Sequence, residues 1–190
     1  MSSTISDGNN DVKPSDSSSV PRLLPHHLVE LQGSGLTDET IAANGIYSET
    51  DPAAIRKLLN CGKARAKEFG PVLVFPHFDQ AGEAMEHAVV KPDCQRPRND
   101  KPGKFIKYEN PYKRPNRLYI PVGARAALAD PTKVVIITEG CKKALAATQH
   151  GFPCVSIQGV WNWCVRRGFA TEWGFATELG KPDQFRISRP

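Results

Sequence analysis

The rhythm of apolar and polar positions changes several times along this chain. Residues 1–22 are rich in Ser, Asp and Asn and hold almost no large apolar side chain. Such a stretch cannot offset its own ordering entropy, so the pattern predicts a disordered tail. Residues 23–70 read as helical. "LTDETIAANG" offers Thr37 as an N-cap, acids in the first turn and a closing Asn44-Gly45. "DPAAIRKLLNCG" is clearer still. Asp51 caps, Pro52 suits the first helical position, Ile55, Leu58 and Leu59 share a face, and 60–62 stops the helix.

From residue 71 the period shortens. "PVLVF" is a β-branched apolar run, "FDQAGEA" has turn chemistry around Gly82, and "MEHAVV" follows, which predicts strand, turn and strand. Residues 94–103 read as a loop. "KFIKYENP" and "RLYIP" are two further short strand candidates joined by "YKRPN". The run at 134–137 is continuously apolar, as expected of a strand covered on both faces. An Ala-rich helix then runs over 141–150, Gly151 and Pro153 end it, and "CVSI" is another buried strand candidate. Strand, helix, strand is a βαβ unit with a parallel pair. Beyond residue 159 the pattern fades. GFATE occurs at 168–172 and again at 174–178, too few copies for a solenoid.

Composition bounds the function classes. The 190 residues are 39% hydrophobic and 24% charged, ordinary values for a globular domain. No apolar run approaches the roughly 20 residues that cross a bilayer, and no basic start with an apolar core marks a signal peptide. The five cysteines form no C-x-x-C pair, which argues against a zinc or thioredoxin-type site and for reduced thiols in a cytoplasm. Net charge is +5, but unevenly spread. Residues 91–125 hold ten Lys or Arg against three Asp or Glu. A second basic group comprises Arg56, Lys57, Lys63, Arg65 and Lys67. Clusters like these can neutralise phosphates, although a merely solvated basic face would look the same.

The candidate chemistry centres on Glu139, followed by Gly140, at the end of the apolar run. In open α/β sheets the functional crevice lies beyond the carboxyl ends of the strands. A carboxylate there can serve as acid, base or oxygen ligand to a divalent ion. It can equally be a first-turn acid favoured by the helix dipole. Lys142 and Lys143 follow, but the glycine spacing of a phosphate-binding loop is missing. No G-x-S-x-G turn is present. Cys141 stands near a helix start that could lower its pKa, yet no spacing recommends His77, His87 or His150 as its base.

"VVIITEGCKKALAATQHGFPCVSIQG" resembles the first half of a Toprim domain, the catalytic fold of DnaG-type primases, topoisomerases and related nucleases. "GLTDETIAANGI", "VLVFPHFDQAGEA" and "GKFIKYENPYKRPNRLYIPVGARAA" extend the resemblance to the primase polymerase core, with Lys107-Tyr108, Asn110-Pro111 and Leu118-Tyr119 in matching order. The whole, over roughly 23–163, is most similar to a poorly characterised primase-like domain of plasmid, phage and mobile-element replication proteins.

The resemblance implies an α/β fold. Residues 23–130 would form an α+β N-terminal subdomain, 131–163 a partial Rossmann-like Toprim sheet, and 164–190 an irregular tail. It implies nucleotidyltransfer, with Glu139 the catalytic and Mg²⁺-binding residue and Gly140 the backbone turn. Lys104, Lys107, Tyr108, Lys113, Arg114, Arg117, Lys142 and Lys143 would meet single-stranded DNA and nucleoside triphosphates. A helicase, or the remainder of a Toprim domain, would be the protein partner. The interleaved Phe105, Tyr108, Tyr112 and Tyr119 suit base stacking, although Phe105 and Tyr119, inside strand patterns, are expected to be mostly core.

The Toprim pattern also requires a later Asp-x-Asp for metal-assisted phosphoryl transfer. After Glu139 this chain holds one aspartate, Asp183, outside any strand pattern. The expectation is therefore a primase-like chain that is inactive alone. The alternatives are a non-catalytic nucleic-acid-binding module and a Toprim nuclease fragment.

Overall fold

The computed structural model describes residues 23–158. The expectations for 1–22, for 159–163 of the βαβ region, and for the 164–190 tail with its GFATE repeat lie outside the described residues.

Helix α1 spans Pro25–Gln32, with proline at the start where no N–H is needed. Helix α2 spans Asp38–Ala43, and the Thr37 hydroxyl accepts the Thr40 N–H at 3.3 Å, as the sequence predicts. Helix α3 spans Pro52–Leu59. The Asp51 carboxylate accepts the N–H groups of Ala53 and Ala54, and Asn60 ends the helix in the left-handed region. Helix α4 spans Lys63–Glu68. The stretch read as wholly helical contains one strand, β1 at Tyr47–Glu49. Three residues are too short to show a period, and β1 exists because a distant strand pairs with it.

That strand is β2, Val72–Phe78, which turns through 79–83 into β3, Ala84–Pro92. The three form an antiparallel sheet in the order β1-β2-β3, with Tyr47 opposite Val74 and Val74 opposite Val90. Gly82 makes the hairpin turn at φ 96°, and a Cβ there would stand 2.7 Å from an Arg125 nitrogen.

Alternation along β2 separates two cores. Leu73 and Phe75 face a cluster with Leu31, Leu36, Ile41, Tyr119 and Leu145. Val72 and Val74 face Ile55, Leu59, Ala66 and Phe69 on the α3–α4 side.

Residues 104–120 depart from expectation. The two strand candidates make only isolated bridges, Val90 with Glu109, Pro97 with Phe105, and Tyr119 with Ser156. Pro111, Pro115 and Pro121 interrupt any longer ladder because they have no N–H to give. A short 3₁₀ turn at Val122–Ala124 leads into α5, Arg125–Ala129.

The βαβ unit follows as read. Strand β4 is Ile136–Glu139, helix α6 is Cys141–Gln149 and strand β5 is Cys154–Ile157. The strands are parallel, with Glu139 opposite Ile157. Gly151 at φ 83° ends α6. The architecture is thus mixed α/β. One expectation fails here. Strand β4 is not covered on both faces, since Ile136 and Ile137 are 43% and 48% exposed. Among the described residues β4 pairs only with β5, which leaves it at a sheet edge.

Candidate nucleic-acid interface

An open cleft of about 880 Å³ lies between the end of α3, helix α4 and the segment 106–113. Two hydrogen bonds fix that segment to the helix end. The Tyr112 N–H donates to the Leu59 carbonyl at 2.8 Å, and the Asn60 amide donates to the Tyr112 carbonyl at 2.9 Å. Lys113 is held at φ 56°, a left-handed backbone that a lysine adopts only when its surroundings impose it. The result is an exposed Tyr112 ring, 62% accessible, with the Lys113 ammonium 5.4 Å from its centroid. Across the cleft the Arg65 guanidinium lies over the Phe69 ring at 5.8 Å. Arg96 also lines the cleft, but Glu109 takes its charge in a two-bond pair.

Tyr108 has two sides. It lines the cleft, and its ring also packs edge-on against Phe75 at 6.2 Å. Burial pushes its hydroxyl up to about 12, so it remains a neutral donor.

The other expected phosphate ligands are dispersed. Lys104 and Lys107 are exposed outside the cleft lining. Arg114 and Arg117 border a separate small hollow beside His87, and Arg114 approaches Glu86 at 3.9 Å. Phe105 is 56% exposed, not core as expected, whereas Tyr119 is buried as expected. The sequence reading recognised the basic group containing Arg65 but did not place it in the site. Its signal was present, since Arg65 and Phe69 are four apart on one helical face.

Glu139 is exposed at the carboxyl end of β4. Gly140 follows at φ 90°, a backbone only glycine adopts readily, and its Cβ position would meet nothing within 4 Å. The glycine therefore serves the turn. Lys143 is exposed, while Lys142 is ion-paired to Glu30 at 2.7 Å, and Lys91 binds the other oxygen of the same carboxylate. Those two lysines hold the Glu30 carboxyl below its ordinary range, outweighing the opposing effect of burial, the largest single influence on it.

Among the described residues, Glu139 belongs to no group of three side chains able to share a metal ion. A single exposed carboxylate falls short of the oxygen set Mg²⁺ takes. Cys141 is fully buried at the start of α6. Burial pushes its thiol up to about 12, opposite to the lowering that its position at a helix start suggested.

Three comparisons with known proteins bear on this chain. A family model described as a domain of unknown function, DUF3854, matches residues 126–177, which include Glu139 and α6. No curated protein gives a significant match. Among solved structures, the chain is similar to a DnaG primase catalytic domain bound to single-stranded DNA, with 19% identity and a TM-score of 0.46 over 76% of this chain and 49% of that one. It is also similar to a DnaG catalytic core, with 19% identity and a TM-score of 0.42 over 71% of this chain and 47% of that one. The chain therefore spans about half the length of each.

Proposed function

We propose that this chain is a primase-like module that binds single-stranded nucleic acid in the cleft between α4 and residues 106–113. The observation that carries this reading is one exposed ring set beside a cation, Tyr112 with Lys113, with the Arg65 guanidinium lining the same cleft. An exposed ring of this kind stacks on bases of any sequence while the cations follow the phosphates. Arg114 and Arg117 in the neighbouring hollow, with exposed Lys104 and Lys107, would extend the basic track.

On this reading Glu139, at the carboxyl end of β4 with Gly140 making the turn, would be the residue that acts on a nucleotide. Primer synthesis would need further carboxylates for Mg²⁺, supplied by a partner chain or by sequence beyond the described residues. The module's first activity is therefore binding, and nucleotidyltransfer belongs to a completed assembly.

Fluorescence anisotropy on a labelled oligonucleotide tests this. Tyr112→Ala should weaken single-strand affinity by about 10-fold, from one lost stacking contact. Lys113→Ala should weaken it less and make the salt dependence shallower by nearly one ion. Glu139→Gln should leave affinity unchanged. If the tyrosine and lysine variants bind as the parent does, the cleft is not the interface. If the unaltered chain makes primers with Mg²⁺ and Glu139→Gln abolishes them, the chain is an enzyme by itself.

A further inference from the structure

A second cluster lies elsewhere in the fold. His26 and His27 occupy the first turn of α1, where consecutive side chains ordinarily diverge. Here their ring centroids are 4.2 Å apart and both rings turn toward one carboxylate. His26 Nε2 is 3.0 Å from one oxygen of Asp93, and His27 Nε2 is 3.0 Å from the other. Asp93 comes from the far end of β3, and its N–H donates to the Pro71 carbonyl at 3.0 Å.

We propose that His26, His27 and Asp93 form a binding site for one borderline divalent transition-metal ion, with Zn²⁺ the best fit. Two imidazole nitrogens and one carboxylate oxygen are the donors Zn²⁺ prefers, whereas Mg²⁺ and Ca²⁺ take oxygens. The three ligand atoms all lie within 4.8 Å of one another. Ligands about 2.0–2.1 Å from a tetrahedral ion are separated by about 3.3 Å. Each imidazole nitrogen stands 3.0 Å from a different oxygen of Asp93, so side-chain rotation within this 4.8 Å cluster brings both nitrogens and one oxygen onto a single ion.

The outer partner is also in place. His27 Nδ1 lies 2.7 Å from the Ser48 hydroxyl, which accepts the Leu24 N–H at 2.8 Å. With Nδ1–H donating to that hydroxyl, the Nε2 lone pair is directed at the ion, the arrangement that orients metal-bound histidines. Without metal, the same ring can take the other tautomer and donate from Nε2 to Asp93. Binding is then a tautomer change for His27 with no net loss of its proton. The His27 side chain is 2% exposed, while those of Asp93 and His26 are 32% and 56% exposed. One side of the site thus opens to solvent, leaving a fourth position for water. The ion would join the first helix to the end of the sheet across 66 residues of chain.

The test uses the full chain, stripped with a chelator and titrated with Zn²⁺ alone against a chromogenic zinc indicator. The expected result is one equivalent bound, together with a higher unfolding temperature. His26→Ala changes an exposed side chain and keeps the fold, which circular dichroism verifies. It should weaken binding by at least about 10-fold, and Asp93→Asn should do the same. Ser48→Ala should lower affinity by about 10-fold through loss of orientation. Cys94→Ser should leave binding unchanged. The proposal is overturned by no uptake at one equivalent, by uptake indifferent to His26→Ala and Asp93→Asn, or by uptake that Cys94→Ser removes.

Discussion

Acidification from about pH 7 to about pH 5 should cost this fold on the order of 4 kcal/mol, well before its carboxylates protonate. The origin is a buried imidazole pair. His77 is 1% exposed, its Nδ1 lies 3.2 Å from the Phe75 carbonyl, and its ring meets those of His87 at 4.6 Å and Tyr119 at 5.2 Å. Burial, with a smaller contribution from His87, lowers His77 to about 3. Burial, assisted by the charges of Arg117 and Arg114, lowers His87 to about 4. Both are therefore neutral in the native state at any moderate pH.

In the unfolded chain each histidine takes up a proton near pH 6.5. Their contribution to stability is whole above that pH, falls as pH drops below it, and levels off only below about 3–4. Between the two test conditions each group accounts for about 2 kcal/mol. Urea denaturation at both values measures the difference. A double variant, His77→Phe with His87→Phe, should flatten the dependence even where it alters the stability itself. A loss of less than about 1 kcal/mol, or an unchanged slope in the double variant, would refute this account.

The histidine pair shows what a sequence hides. Neither residue stands in a motif, and only the pairing of β2 with β3 sets Pro76 opposite Ala88 and so brings His77 and His87 together. Local signals were legible. Asp51-Pro52, Thr37 and Gly151 mark their helix ends because caps act within one turn. The hairpin and the βαβ unit follow from runs of apolar residues broken by glycine.

The failures are non-local. In "KFIKYENP" the adjacent Phe105 and Ile106 leave the facing parity open, and it is Phe105 that stands exposed while Ile106 is half-buried, a one-residue choice that no isolated segment can fix. The apolar run of β4 predicted cover on both faces, but cover comes from neighbouring elements, and among the described residues only β5 pairs with it. The candidate site was legible in kind and not in arrangement. Its charges and rings are visible in order along the chain, but the bonds from Tyr112 and Asn60 decide that Lys113 faces Arg65 across the cleft while Arg114 turns to a separate hollow.

Phe75→Ala should be the most damaging single substitution, at about 3–5 kcal/mol. The ring is fully buried in the middle of β2 and contacts Tyr108 and Tyr119 edge-on. Its cluster takes Leu31 from α1, Ile41 from α2, and Cys141, Ala144 and Leu145 from α6. A cavity there would be bordered by the antiparallel sheet on one side and the βαβ helix on the other. With typical domain stabilities of about 5–15 kcal/mol, such a loss brings the chain near its unfolding midpoint.

The pattern of the loss matters as much as its size. The sequence reading divides these residues into an N-terminal subdomain at 23–130 and a βαβ unit at 131–163, and this core takes side chains from both. In native-state hydrogen exchange, the amides of β2 and of α6 should therefore lose protection together in the Phe75→Ala protein. Retained protection in α6 with loss in β2 would mean that the βαβ unit stands alone and the shared cluster is only a contact. A joint loss would mean that Glu139 is held in place by the same packing that positions Tyr108. The acid and the cleft would then be parts of one cooperative structure.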